Sequence, residues 1–181
     1  MNISSMARCG FAAALISVTA WIALPFAVPF TLQTFGIFCA LLILGGKLGT
    51  ISIAVYIFLG VIGLPVFAGF QGGTGIILSP VGGFIIGFLA TGLLYYAITD
   101  RFGEKPLIKL TALTVGLLAC YASGTVWYVL FNKGIGFQEA FTVCVLPFII
   151  PDGIKLWLAY IVSRRIKYAN IFTDKNNLKA R

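Results

Sequence analysis

One short segment, Pro151-Asp-Gly-Ile-Lys155, places two charged side chains inside a run over 140–163 that carries no other charge. Hydrocarbon cannot solvate such charges, so they persist when they pair, face a cavity or bind a ligand. Pro151 suits the first turn of a helix, where the helix dipole also favours the negative charge of Asp152. A spacing of three puts Asp152 and Lys155 on one helix face. The segment therefore predicts either a structural ion pair at a helix start or a polar site for a small ligand.

The composition around this segment is that of an integral membrane protein. The 181 residues are 60% hydrophobic and 10% charged, with a mean hydropathy of +1.02, whereas a soluble domain carries roughly a quarter charged residues. Residues 9–46, 48–99 and 110–132 contain no charge. Each of these runs is longer than the roughly 20 residues that one membrane span requires.

Breaks at proline, glycine and charged residues divide the apolar sequence into six segments. They predict an all-α fold of six transmembrane helices, at about 8–24, 34–46, 48–62, 80–99, 110–131 and 151–168. Trp21 and Pro25 crowd any cleavage site after the first segment, so we expect it to be retained as a span. The six helices form a single predicted substrate-binding domain over 1–168, followed by a polar cytoplasmic tail over 169–181.

The positive charges predict how the helices are oriented. With six spans, every Lys and Arg except Lys133 and Lys155 lies on the side that holds both termini. This asymmetry predicts a multi-pass membrane protein with cytoplasmic termini. Because the charges lie in short loops and the tail, the net charge of +8 does not indicate binding to nucleic acid.

The same orientation brings three uncharged or sparsely charged elements together on the outer side. They are the loop before the second span, the glycine-rich loop over 63–75, and the segment around Asp152. Apolar walls with a few placed polar groups are typical of small-ligand pockets. The predicted substrate-binding residues are Asp152, Lys155, Gln33, Thr31, Phe67, Phe70 and Gln71.

The first helix carries small residues on one face: Ala7, Gly10, Ala14 and Ser17. Small residues let the backbones of two membrane helices approach closely. The face therefore predicts either packing within the bundle or contact with a partner subunit.

Several chemistries are disfavoured by the residues present. The chain has no histidine, which excludes Ser-His and Cys-His catalysis and weakens any metal site. Its cysteines are isolated in apolar sequence and are interpreted as small core residues. There is no G-x-x-x-x-G-K-[ST] phosphate loop. We expect no cofactor, no metal and no enzymatic activity.

At the three outer elements the sequence resembles the BioY family, the biotin-binding S subunits of energy-coupling factor (ECF) transporters. The matching segments are Val28-Pro-Phe-Thr-Leu-Gln-Thr34, Gly60-Val-Ile-Gly-Leu-Pro-Val-Phe-Ala-Gly69, Pro80-Val-Gly-Gly-Phe84 with Gly87-Phe88, and Leu146-Pro-Phe-Ile-Ile-Pro-Asp-Gly-Ile-Lys155. Their order and spacing agree with the family's over nearly the whole membrane domain.

The resemblance implies a six-helix fold and tight biotin binding at the outer mouth. It also implies transport together with a transmembrane coupling subunit and two cytoplasmic ATPases, in the plasma (inner) membrane of a bacterium. The chain departs from the family pattern P-G-D-x-x-K, because proline directly precedes Asp152 and Gly153 stands where an aliphatic residue is usual. It also departs from P-T-G-G-Y, because Val81 and Phe84 lack the two hydroxyls.

Two alternatives remain open at this point. One is a stand-alone secondary carrier for biotin or a related small carboxylate, with Asp152 as a proton relay. The other is a membrane assembly subunit that binds no small molecule.

Overall fold

The computed structural model describes residues 2–168, with side chains to residue 166, and is almost entirely helical. The helices are α1 (Ile3–Trp21), α2 (Gln33–Val61), α3 (Thr74–Ile77), α4 (Gly82–Phe102), α5 (Pro106–Phe131), α6 (Phe137–Cys144) and α7 (Leu146–Tyr168). Two short antiparallel strands, β1 (Ala23–Leu24) and β2 (Phe30–Thr31), join α1 to α2, and a 3-10 turn spans Ala68–Phe70. The all-α prediction is confirmed, while the predicted tail over 169–181 lies outside the described residues.

Helix α2 is a hairpin and not one straight rod. Gly45 breaks it with φ 82 and ψ 173, a backbone conformation that glycine adopts easily. The side chains of Gln33 and Tyr56 meet at 2.8 Å, although 23 residues of straight helix would span about 35 Å. The arms over 33–44 and 46–61 therefore run back along each other and correspond to the predicted second and third spans.

Within residues 2–168, five helical segments are long and apolar enough to cross a membrane, with α2 taken as one segment and α6 with α7 as another. The predicted boundaries of the earlier spans differ from the helix ends by a few residues. How many segments cross a bilayer, and in which direction, stays a prediction.

The prediction that a helix starts at Pro151 is wrong. Helix α7 begins at Leu146, and Pro151 lies inside it. The break between α6 and α7 falls at Val145, whose φ of −124 and ψ of −54 depart from helical values. Asp152 therefore lies beyond the first turn, so its charge must be stabilised by side-chain partners and not by a helix terminus.

The bundle is held together by close helix contacts. Helix α1 packs on α2, α2 also packs on α4 and α7, and α4 packs along α5. The Thr91 hydroxyl of α4 donates to the carbonyl oxygen of Gly116 on α5 at 2.8 Å. Such interhelical hydrogen bonds and small-residue contacts stabilise bundles in lipid, where apolar burial between helices contributes little.

The four small residues of the predicted face of α1 do not share one environment. Ala7, Gly10 and Ala14 are exposed, and a Cβ added at Gly10 would have no heavy atom within 4 Å. Ser17 is instead 5% exposed and donates to the Ala13 carbonyl oxygen at 2.9 Å. Ser17 turns toward the bundle because, at 100° per residue, it lies at the edge of the stripe.

We expect Gly49→Ala to destabilise the α2 hairpin. A Cβ at Gly49 would lie 2.8 Å from the Cα of Leu41 on the opposite arm, and overpacking of this kind costs about 1–3 kcal/mol. Gly10→Ala is the matched control, since its Cβ meets nothing. Thermal unfolding in detergent should show a midpoint below that of the wild-type chain for Gly49→Ala and not for Gly10→Ala. A wild-type midpoint for Gly49→Ala would contradict the close packing of the two arms.

Candidate functional site

Asp152 is the centre of a buried polar cluster. It is 2% exposed, and its Oδ1 accepts hydrogen bonds from Thr34 Oγ1 and Lys155 Nζ, both at 2.8 Å. Its Oδ2 accepts from the hydroxyl of Tyr121 at 2.6 Å. These partners come from α2, α5 and α7 itself, so the carboxylate joins three helices.

Lys155 is the cationic half of the cluster and is 5% exposed. Besides Asp152, its Nζ donates to the carbonyl oxygen of Thr31 at 2.6 Å. It also lies 4.4 Å from the ring centre of Phe30, within the range of cation–π attraction. The ion pair predicted from the spacing of three is present, and β2 supplies its remaining contacts.

The cluster is not saturated by these partners. An ionised carboxylate accepts at about four lone-pair positions, and an ammonium group donates three hydrogen bonds. Asp152 uses three of its positions and Lys155 uses two of its donors. The hydrogen bonds within the described part of the chain thus leave one acceptor position on Asp152 Oδ2 and one donor on Lys155 Nζ unused.

A cavity of about 740 Å³, counted with the space at its mouth, opens beside the cluster. Small-molecule sites are mostly apolar, with a few placed polar groups. The walls are mainly aliphatic and aromatic. The lining residues are Val28, Pro29, Thr31, Gln33, Thr34, Phe67, Ala68, Gln71, Ile76, Val81, Phe84, Ile85, Phe88, Leu117, Cys120, Tyr121, Phe148, Asp152 and Lys155.

One wall is built on the second arm of α2. Gln33 is buried and donates through Nε2 to the Tyr56 hydroxyl at 2.8 Å. The ring of Phe67 meets Tyr56 edge-on, with 5.5 Å between centroids. Phe67 fits because Gly60 lacks a Cβ, which would overlap the phenylalanine ring.

The structure brings six of the seven predicted substrate-binding residues to this cavity: Asp152, Lys155, Gln33, Thr31, Phe67 and Gln71. Phe70 does not line it and is 62% exposed. Its ring stacks on Trp21 with 4.9 Å between centroids. Positive φ values at Gly69 and Phe70 turn the backbone there, so the ring lies on the outside of the loop. The binding roles of the six stay predictions.

Sequence reasoning missed Tyr121 and Thr34 as site residues. Thr34 lies next to Gln33 in a segment that was already of interest. Tyr121 gave no signal, because it lies within an apolar span and its partner Asp152 is 31 residues away.

Val81 and Phe84, which depart from the family pattern, both line the cavity and make that wall apolar. Among the described residues, no group of three His, Cys, Asp or Glu side chains could hold a metal ion.

Comparison with known proteins gives a consistent result. The model of the BioY family matches residues 1–171. A "probable biotin transporter BioY" of Pyrococcus horikoshii is 44% identical over 156 residues, which cover 85% of this chain and 90% of the relative. The "biotin transporter BioY" of Thermotoga maritima is 37% identical over 161 residues, covering 88% and 94%. The crystal structure of an S-component for biotin from an ECF-type ABC transporter has a TM-score of 0.82 and 28% identity, and covers 92% of both chains.

We expect Lys155→Met to destabilise the chain strongly. Removing one member of a buried ion pair leaves an uncompensated charge and typically costs about 3–5 kcal/mol. The double variant Asp152→Asn/Lys155→Met removes both charges and should recover much of that loss. Unfolding in detergent of Lys155→Met, Asp152→Asn and the double variant tests this, and a double variant as unstable as the sum of the two single variants would contradict a coupled pair.

Proposed function

The chain belongs to the BioY family, and from this membership we propose that its cavity beside Asp152 and Lys155 is the biotin site. The chain is a biotin-binding subunit of an uptake transporter and not an enzyme. It is a multi-pass membrane protein of a bacterium or an archaeon. The predicted restriction to bacteria is narrower than its relatives support, since one of them comes from Pyrococcus horikoshii.

The unused donor and acceptor of the ion pair support the proposal most directly. The ureido ring of biotin carries N–H donors next to a carbonyl acceptor. Asp152 has one acceptor position left and Lys155 has one donor left. A ureido N–H would donate to the carboxylate while its carbonyl oxygen accepts from the ammonium group, which completes both sets.

The charge balance of the cavity orients the ligand. Asp152 and Lys155 are paired at 2.8 Å and together have no net charge, so a ligand carboxylate placed there would not be neutralised. Hydrocarbon-like walls penalise a charge that lacks its own partner. We therefore place the ureido ring at the ion pair, the aliphatic chain along the apolar wall and the carboxylate at the mouth, where water solvates it. The reverse orientation, with the carboxylate on Lys155, is the competing arrangement.

The purified chain in detergent should bind labelled biotin, and Asp152→Asn should weaken binding at least about tenfold, since truncating a buried charged partner typically costs roughly 2–5 kcal/mol. Trp157→Phe, at an exposed position on the same helix, is the control. No binding by the folded wild-type chain would favour an assembly subunit that binds no small molecule.

The same assay separates the two orientations. Biotin methyl ester keeps the ureido ring but has no negative charge. If the ring lies at the ion pair, the ester should bind within about tenfold of biotin. If the carboxylate pairs with Lys155, the ester should lose roughly 2–5 kcal/mol of binding free energy.

The family also implies partners. An ECF-type S-component works within an ECF transporter, and we propose one transmembrane coupling subunit and two ATPase subunits as the finer composition. The sequence has no phosphate-binding loop, so energy from ATP would reach this chain by contact. We propose residues 1–168 as one membrane domain and the exposed face of α1 as that contact.

The geometry of α1 supports this assignment. Ala7, Gly10 and Ala14 lie on the exposed side, and Gly10 has open space around its Cβ position. Lipid is as apolar as a helix surface, so association with a membrane partner requires close backbone approach at small residues. Ser17 is buried and is not part of this face.

Gly10→Trp and Ala14→Trp should leave biotin affinity unchanged but abolish co-purification with the coupling subunit and ATP-driven uptake. The bulky ring would not meet the rest of this chain but would separate two closely packed helices. Val115→Trp, at an exposed position on α5, is the matched control and should retain uptake. Loss of biotin binding in the α1 variants would show that this face supports the bundle instead.

A further inference from the structure

One wall of the cavity is a loop held from both of its sides. Residues 63–73, called the lid loop here, connect α2 to α3 and contribute Phe67, Ala68 and Gln71 to the cavity lining. On the inner side, Phe67 is 2% exposed and packs edge-on against Tyr56. The loop is closed on itself by the Phe67 N–H, which donates to the Gln71 carbonyl oxygen at 2.9 Å.

The outer side of the lid loop is held by Trp21, the last residue of α1. The indole Nε1 donates to the carbonyl oxygen of Pro65 at 2.8 Å. The indole ring also stacks on Phe70, with 4.9 Å between centroids and 24° between planes. One side chain thus contacts the loop on both sides of Phe67, although 44 residues separate Trp21 from Pro65.

The backbone of Phe70 indicates that these contacts hold the loop in place. Its φ of 58 is the single positive value at a non-glycine residue in the described part of the chain. A left-handed conformation at a bulky residue persists only where surrounding contacts favour it. Phe70 is 62% exposed and lies outside the cavity, so core packing does not supply them. The contacts at this turn are instead the stacked indole and the Phe67–Gln71 hydrogen bond.

We propose that Trp21 is a positioning residue that latches the lid loop over the cavity and sets the rate at which bound biotin leaves. The inference rests on the proposed function, because it assumes biotin in the cavity. Trp21 touches the loop backbone and Phe70, not the ligand space. Its contacts therefore stabilise the closed loop, and removing these contacts raises the fraction of time that the loop is open.

The Trp21 contacts also connect the cavity to α1, the helix proposed to contact the coupling subunit. Trp21 ends α1, and the exposed small residues of the same helix form the proposed contact with the coupling subunit. A shift of α1 against the rest of the bundle would move the indole away from Pro65 and Phe70 together. Docking of the partner could in this way loosen the lid loop without any change at Asp152 or Lys155.

A latch has a kinetic signature that a structural wall residue lacks. If closure follows binding, opening limits release, and loss of the latch accelerates dissociation without slowing association. A residue that shapes the empty pocket would instead slow association when it is removed. The stacking contact and the hydrogen bond together are strong enough to change the equilibrium constant between the closed and the open loop about tenfold.

The test is release of labelled biotin from the full-length chain in detergent after addition of excess unlabelled biotin, with association measured separately. Trp21→Ala should release biotin about tenfold faster than wild type, with an association rate constant that is equal or higher. Trp21→Phe keeps a ring that can stack but loses the indole N–H, so its release rate should fall between the two. Phe70→Leu, which removes the stacked ring alone, should also release faster and covers the case in which Trp21→Ala does not fold.

Trp157→Ala is the matched control, because it deletes an exposed indole on α7 and should release biotin at the wild-type rate. Wild-type release rates in Trp21→Ala and Phe70→Leu would overturn the latch while leaving the biotin site intact. Affinity lost through slower association would overturn it as well, since Trp21 would then shape the pocket. A wild-type chain that binds no biotin would overturn the proposed function, and the latch with it.

Discussion

The buried pair of Asp152 and Lys155 is the interaction on which the rest of this structure depends. Two charges that are 2% and 5% exposed would be intolerable in an apolar bundle without partners. Each partner comes from a different element: Thr31 from β2, Thr34 from the start of α2, and Tyr121 from α5. Satisfying the pair therefore fixes the strands, the first arm of α2, α5 and α7 relative to one another, and the cavity lies where they meet.

Much of this arrangement follows from local sequence. Apolar runs longer than a bilayer predict the helices, and a spacing of three in a helix predicts that Asp152 and Lys155 meet. The glycines around residue 45 predict the turn that makes a hairpin of α2. Loop positions on a common side predict that Gln33, Phe67 and Gln71 converge. These features depend on periodicity and hydropathy, which a single chain displays directly.

The features that sequence reasoning missed depend on contacts between distant residues. Tyr121 looks like any aromatic residue in a span until the position of Asp152 is known. Phe70 resembles Phe67 in composition and context, and only the left-handed backbone at Gly69 and Phe70 separates an outward ring from an inward one. Pro151 is a plausible first-turn residue, but Leu146 starts the helix, because the break at Val145 comes earlier.

The neutrality of the ion pair bears on how such a site can both capture and release its ligand. Asp152 and Lys155 neutralise each other, so neither buried charge depends on a ligand for compensation. Binding then adds hydrogen bonds and apolar contacts to a cluster that is already stable, and release does not expose an unpaired charge to hydrocarbon. A lone lysine would bind a carboxylate more strongly, but emptying the site would leave that charge without a partner. Where a paired cluster lies beneath the lid loop, the closed loop sets the affinity, and docking of the coupling subunit can loosen that loop. The affinity then does not depend on a charge that must be compensated at every step.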